Sequence, residues 1–140
     1  MEQFNDVGIK AGLPPEPIEA DPQIVSIDDC FSFITKDGSA IRELLSHRNS
    51  AMSKQSLAEA TISPGCTTEP HYHKVTEEIY FIVSGSGVMW FSGRSKKVKP
   101  GDAIAIPPGQ VHSIQNDGFV GLKLLCCCAP AYEHADTFLV

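Results

Sequence analysis

His71 and His73 stand two residues apart, and His112 lies in a second segment bounded by glycines. In an extended strand alternate side chains share a face, so His71 and His73 can point the same way. Glu78 follows closely, with Glu77 beside it as a rival carboxylate. Three neutral imidazoles and one carboxylate make a good site for a first-row divalent metal ion. A rigid scaffold holding them could leave one or two positions open for water or substrate. In an unbroken strand Glu78 has the opposite parity to the histidines. A bend around Lys74 to Thr76 is therefore required to bring it onto their face.

The elements that must hold these groups are short strands. From Ser56 onward, runs rich in Ile, Val, Phe, Tyr and Thr recur at Ser56–Ser63, Glu78–Ser84, Val88–Ser92, Lys96–Lys99, Ala103–Ile106, Val111–Gln115 and Val120–Cys128. Glycine or proline breaks separate them, as at Pro64-Gly65, Gly85-Ser86-Gly87, Pro100-Gly101 and Pro107-Pro108-Gly109. This spacing predicts an all-β sandwich or barrel. Upstream, residues 12–22 hold four prolines in eleven positions, which reads as an extended N-terminal arm over 1–23. The barrel domain is expected over 24–140. Ile24, Val25 and Ile27 suit a strand, whereas Ile41, Leu44 and Leu45 have helical spacing, so pattern alone leaves 39–48 open.

The first histidine cluster runs Gly65, five residues, His71, one residue, His73, four residues, Glu78, six residues, Gly85. The second runs Gly101, five residues, Pro107, one residue, Gly109, two residues, His112, three residues, Asn116. In this order the clusters resemble the two signature motifs of the cupin superfamily, over about Ser56 to Cys128. The resemblance implies a single jelly-roll β-barrel with one divalent transition-metal ion inside. By position it makes His71, His73, Glu78 and His112 the metal ligands. Cupins allow three or four residues after the second histidine, which keeps Glu77 in play; the six residues from Glu78 to Gly85 favour Glu78. Similar small cupins carry a strand around Ile41 to Leu45 and dimerise through N-terminal strands that cover a sheet edge, so a homodimer is expected.

Other residues carry a sharper and a blander reading. Glu78, Tyr80 and Ile82 alternate onto one face, leaving Ile79, Phe81 and Val83 on the other. Tyr80 can thus line the pocket as a catalytic proton donor or acceptor, although ordinary core packing is the favoured role. Glu59 is a general base or a residue of a solvated face. With Lys123 towards water, Leu122, Leu124, Cys126 and Cys128 point inward. Buried cysteines behave as small hydrophobes, the alternative being a pocket thiol near the metal. Cys127 then faces the other way. Gly85 and Gly101 suit turns with positive φ. Trp90 is expected in the core, His47 and His134 on the surface, and 93–97 in a solvated basic turn. The tail should pack back through Tyr132, Phe138 and Leu139.

The 140 residues carry 17 acidic and 11 basic side chains, for a net charge of −6. That balance repels phosphate backbones and anionic membrane surfaces, so neither nucleic acid nor membrane is an expected partner. The opening segment shows no basic stretch followed by an apolar run, and five cysteines is an odd number. Reduced thiols and a cytoplasmic location are the expectation. Ligand sets like this one support dioxygenases, oxalate-type decarboxylases, isomerases and lyases among cupins. Thiol dioxygenases of the superfamily generally lack the motif glutamate, which disfavours that branch. The expected function is a metal-dependent enzyme acting on a small oxygenated or carboxylated substrate. The alternative is a non-catalytic module that binds or senses a small ligand. Imidazole and carboxylate donors suit Fe, Mn, Ni, Co, Cu and Zn alike.

Overall fold

The computed structural model describes residues 17–140; the first part of the proline-rich arm lies outside the described residues. Residues 17–26 have no regular structure, and Ile18 and Ile24 are exposed. The strand expected at Ile24 to Ile27 does not form. Ile27–Asp29 instead makes one 3-10 turn, with Asp29 N–H donating to Ser26 O at 3.1 Å. Pro22 upstream cannot donate to a ladder, and Asp28-Asp29 favours a turn.

The strands are β1 (Phe33–Ile34), β2 (Ala40–Leu45), β3 (Ser56–Ile62), β4 (His71–His73), β5 (Glu77–Ser84), β6 (Gly87–Phe91), β7 (Arg94–Val98), β8 (Ala103–Ile106), β9 (His112–Asn116), β10 (Leu122–Ala129) and β11 (Thr137–Leu139). They build two antiparallel sheets, ordered β1-β2-β3-β10-β5-β8 and β11-β4-β9-β6-β7. The sheets face each other as a jelly roll, and the all-β expectation holds. The segment left open by its helical spacing is β2, paired to β3 with Ile41 opposite Ala60.

Period-two alternation decides what each strand buries. Along β5, Glu78, Tyr80 and Ile82 point inward, while Ile79, Phe81 and Val83 are 50, 41 and 44 % exposed. Along β10, Leu122, Leu124, Cys126 and Cys128 are inward. With Ile62, Ile106 and Ile114, the side chains of Leu122, Leu124 and Cys126 form a continuous core. Each fully buried aliphatic contributes about 1.5–3 kcal/mol. The same alternation corrects the placement of Trp90. Met89 takes the inward position on β6, and Trp90 faces out between Ser113 and Ser95 at 38 % exposure. The basic turn is also narrower than expected. Ser92 and Gly93 alone connect β6 to β7, both at positive φ, and Arg94 to Lys97 are strand residues.

The motif glycines are structural, and Gly85 is the more constrained of two. Gly85 and Gly101 both have positive φ, at +82° and +91°. A Cβ on Gly85 would also meet Gly121 O at 2.7 Å, whereas nothing lies within 4 Å of one on Gly101. Strain alone costs about 1–2 kcal/mol, and a backbone clash adds about 1–3 kcal/mol. In thermal or urea denaturation, Gly85→Ala should therefore destabilise more than Gly101→Ala; equal losses would contradict this account.

Candidate metal centre

The three histidines come together on the inner face of the five-stranded sheet. His71 sits directly opposite His112 across the β4–β9 pair, and His73 shares the face of His71. One ring nitrogen from each lies within 4.8 Å of the others, a group that can hold a metal ion. Glu78 reaches in from the opposing sheet. Its Oε1 is 3.4 Å from His73 Nε2 and 3.6 Å from His112 Nε2. All four residues are at most 5 % exposed.

Hydrogen bonds determine which nitrogen of each ring faces the centre. His71 Nδ1 donates to Glu69 O at 2.8 Å, and His112 Nδ1 donates to Gln110 O at 2.8 Å. His73 Nδ1 lies 3.3 Å from Asp136 O. A carbonyl only accepts, so each Nδ1 carries the proton and each Nε2 presents a lone pair inward. The second oxygen of Glu78 accepts from the Cys128 thiol at 3.1 Å, leaving Oε1 free. Glu78 Oε1 and His112 Nε2 are buried without a hydrogen-bond partner among the described residues. Converging acceptors with no donor among the described residues are costly to bury and fit a cation. The donor set therefore fits a divalent transition metal.

Without an ion, a proton must serve. Burial opposes a charge on His73, but the Glu78 carboxylate outweighs it and raises the pKa. Burial would also raise the pKa of Glu78, yet His112 and His73 hold it at about 2. His71 is pushed down, chiefly by burial.

The bend that the parity of Glu78 demands is present at Lys74 and Val75. It is held by a residue that the motifs do not contain. The Asp136 carboxylate accepts from the amides of Lys74, Val75 and Thr76 at 3.0 to 3.2 Å, and its carbonyl faces His73. β11 then pairs with β4, Thr137 opposite His73. The tail thus packs back as expected through Tyr132 and Phe138, but not through Leu139. Tyr132 approaches the His73 ring at 6.1 Å, Phe138 stacks on Tyr72 outside the barrel, and Leu139 is 52 % exposed.

A cavity of about 50 Å³ opens beside the histidines, room for about three to five waters at roughly 10–15 Å³ each. Tyr80, Cys126 and Cys128 line it. Tyr80 is both core and cavity wall, its ring 5.8 Å from that of His112, and burial pushes its pKa well up. Burial likewise raises both thiols, so they remain protonated. Glu77 and Glu59 do not line the cavity; Glu77 is exposed, and Glu59 lies opposite Arg42 and Leu125 in the sheet. His47 and His134 are exposed and stay outside the site. Among the further polar groups that line the cavity unannounced by the motifs, two stand near the histidines. Tyr132 has a buried hydroxyl with no partner, and Asp37 on the β1–β2 loop lies 3.8 Å from His71. Asp37-Gly38 signals a turn in the sequence, but nothing local aims its carboxylate at a histidine.

The two-sheet barrel with an inner histidine triad defines a jelly-roll protein with a potential metal site. Residues 58–128 match the cupin domain family, and the chain belongs to that family. It is 50% identical over 110 residues to the uncharacterized protein MJ1618 of Methanocaldococcus jannaschii, covering 79% of this chain and 88% of that one. An oxalate-binding protein of Thermotoga maritima is 35% identical over 69 residues, 49% of this chain and 57% of that protein. The crystal structure of a predicted oxalate decarboxylase from Thermotoga maritima superposes with a TM-score of 0.68 at 26% identity, covering 77% of this chain and 99% of that one.

The raised pKa of His73 makes it the proton that an incoming ion must displace. Metal affinity should rise with pH through the ordinary histidine value of 6.5 and level off above the raised one. Glu78, ionised down to about 2, contributes nothing to that slope. Cobalt titrations between about pH 5 and 8 should show proton release on binding; an affinity independent of pH across this window would contradict the assignment.

Proposed function

We propose that this protein is a divalent-metal-dependent enzyme acting on a small oxygenated substrate. One ion per chain would be held by His71, His73, Glu78 and His112. The observation that carries the reading is the set of buried acceptors, Glu78 Oε1 and His112 Nε2 above all, with no donor to satisfy them. A bound ion would supply Lewis acidity towards a substrate oxygen or, as iron, a site for dioxygen activation. The chain's own groups have separate parts. Backbone carbonyls of Glu69, Gln110 and Asp136 keep the three imidazoles in one tautomer. The Cys128 thiol holds Glu78 Oε2. Tyr80, kept a neutral phenol by burial, is the proposed proton donor to substrate. Apolar walls exclude water.

The alternative reading, a module that binds a small ligand and releases it unchanged, draws on the relative named for binding oxalate, as the enzyme reading draws on the predicted decarboxylase. Metal content and turnover separate the readings. Plasma mass spectrometry of untagged protein purified without chelators should give close to one ion per chain. His73→Ala, His112→Ala and Glu78→Gln should lose most of it, and Glu77→Gln should not. Tyr80→Phe should keep the ion and lower turnover by about 10²–10⁴-fold. Absence of metal in the wild type after reconstitution would end the enzyme reading, and metal without turnover of any oxygenated substrate would favour the module.

A homodimer in a reducing, cytoplasmic setting belongs to the same proposal. All five cysteines are unpaired. The outer face of β5 leaves Ile79, Phe81 and Val83 beside Ala103 and Ala105 of β8, an apolar surface of the kind that marks association. Light scattering at micromolar concentration should report twice the 15.2 kDa chain mass; a monomeric mass would overturn it.

A further inference from the structure

We infer that the site takes a small uncharged molecule bearing hydroxyl groups, anchored by Asp37, and disfavours carboxylates. The inference rests on the metal reading above and narrows its substrate class. Asp37 sits in the β1–β2 loop and is only 8 % exposed. Its Oδ1 is fully engaged, accepting from Thr35 Oγ1 at 2.8 Å, Ser39 N–H at 2.9 Å and Ser39 Oγ at 2.6 Å. Its Oδ2 accepts no hydrogen bond among the described residues and lies in the cavity wall, 3.8 Å from His71 Nε2. That nitrogen has nothing to donate, since the His71 proton is committed to Glu69 O. The loop is pinned, which holds Oδ2 facing the cavity. Glu69 N–H donates to Asp37 O at 2.7 Å, and Lys36 Nζ bonds His134 O and Thr137 O in the tail.

A carboxylate held this way, with one oxygen engaged and the other facing the cavity, can take a donor from whatever occupies the cavity. Among the described residues, the cavity wall supplies no lysine or arginine. Glu43, the remaining acid there, is paired with Arg48 at 2.6 Å. A divalent ion would therefore be balanced by Glu78 and Asp37, leaving the site without net charge. A carboxylate ligand would add an uncompensated negative charge among Ile41, Ala58, Ala60, Ile114 and Leu124. An ammonium ligand would face the ion itself. A neutral hydroxyl fits both demands, with its proton towards Asp37 Oδ2 and its oxygen left for the ion.

The test is a matched pair of probes, 1,2-propanediol and lactate, which share a carbon skeleton and differ in a hydroxymethyl against a carboxylate. Each is titrated into cobalt-loaded wild type and followed by the cobalt visible spectrum, with cobalt content measured first. The diol should bind at least about tenfold more tightly than lactate. Asp37→Asn should keep its cobalt and shift that ratio towards lactate by about tenfold or more, while Asp37→Glu should keep the wild-type preference. Tighter binding of lactate by the wild type, no response to either probe, or an unchanged ratio in Asp37→Asn would each overturn the inference. Loss of cobalt from folded Asp37→Asn would overturn it too, by making Asp37 a ligand. A wild type that holds no cobalt would instead refute the metal reading beneath it.

Discussion

The structure turns on a deficit of hydrogen-bond donors. Four acceptor atoms, three imidazole Nε2 and one carboxylate Oε1, converge beside a small cavity, and two of them, Glu78 Oε1 and His112 Nε2, are buried with no hydrogen-bond partner among the described residues. Such an arrangement costs folding free energy unless a cation occupies it. Much of the surrounding architecture serves to keep those lone pairs aimed inward. Two carbonyls lie two residues before the histidines they orient, Glu69 before His71 and Gln110 before His112. The extended backbone at both places delivers the same local geometry twice.

The fourth group comes from the other sheet, and its arrival depends on long-range contacts. β4 belongs to one sheet and β5 to the other, so the chain between His73 and Glu78 must cross the barrel edge. Asp136 accounts for that crossing by capping three successive amides while its own carbonyl faces His73. A tail residue more than fifty positions away thus sets both the bend and one tautomer. The β1–β2 hairpin also borders the site, tied to the same tail through Lys36. The site is assembled between two sheets and sealed by segments from both ends of the described chain.

Much of this was legible in the sequence because period-two alternation and glycine or proline breaks are local signals. The inward sets of β5 and β10 follow from them directly, down to Cys126 and Cys128 facing the cavity. The need for a bend before Glu78 followed from parity alone. Failures came where local pattern and tertiary context part. Ile24 to Ile27 looks like a strand but has no sheet partner, and Asp28-Asp29 turns it. Trp90 looks like a core residue, yet Met89 holds the inward register beside it. β2 has helical spacing that pairing with β3 overrides. Asp37, Tyr132 and Asp136 carry no motif at all. Their roles arise from contacts at great sequence separation, which no local periodicity encodes.

The charge arrangement extends the same logic to the ligand. Among the described residues the cavity wall carries one half-open carboxylate and no lysine or arginine, in a fold shared with proteins associated with oxalate. Fold and ligand set define what a bound ion could do, and the remaining wall defines what may approach it. The most direct test of the central claim is anomalous diffraction from crystals of the metal-loaded protein. The account predicts one peak at roughly 2.0–2.2 Å from Nε2 of His71, His73 and His112 and from Oε1 of Glu78. A fully loaded crystal whose ion lies elsewhere, or is bound through Nδ1 of these rings, would contradict it.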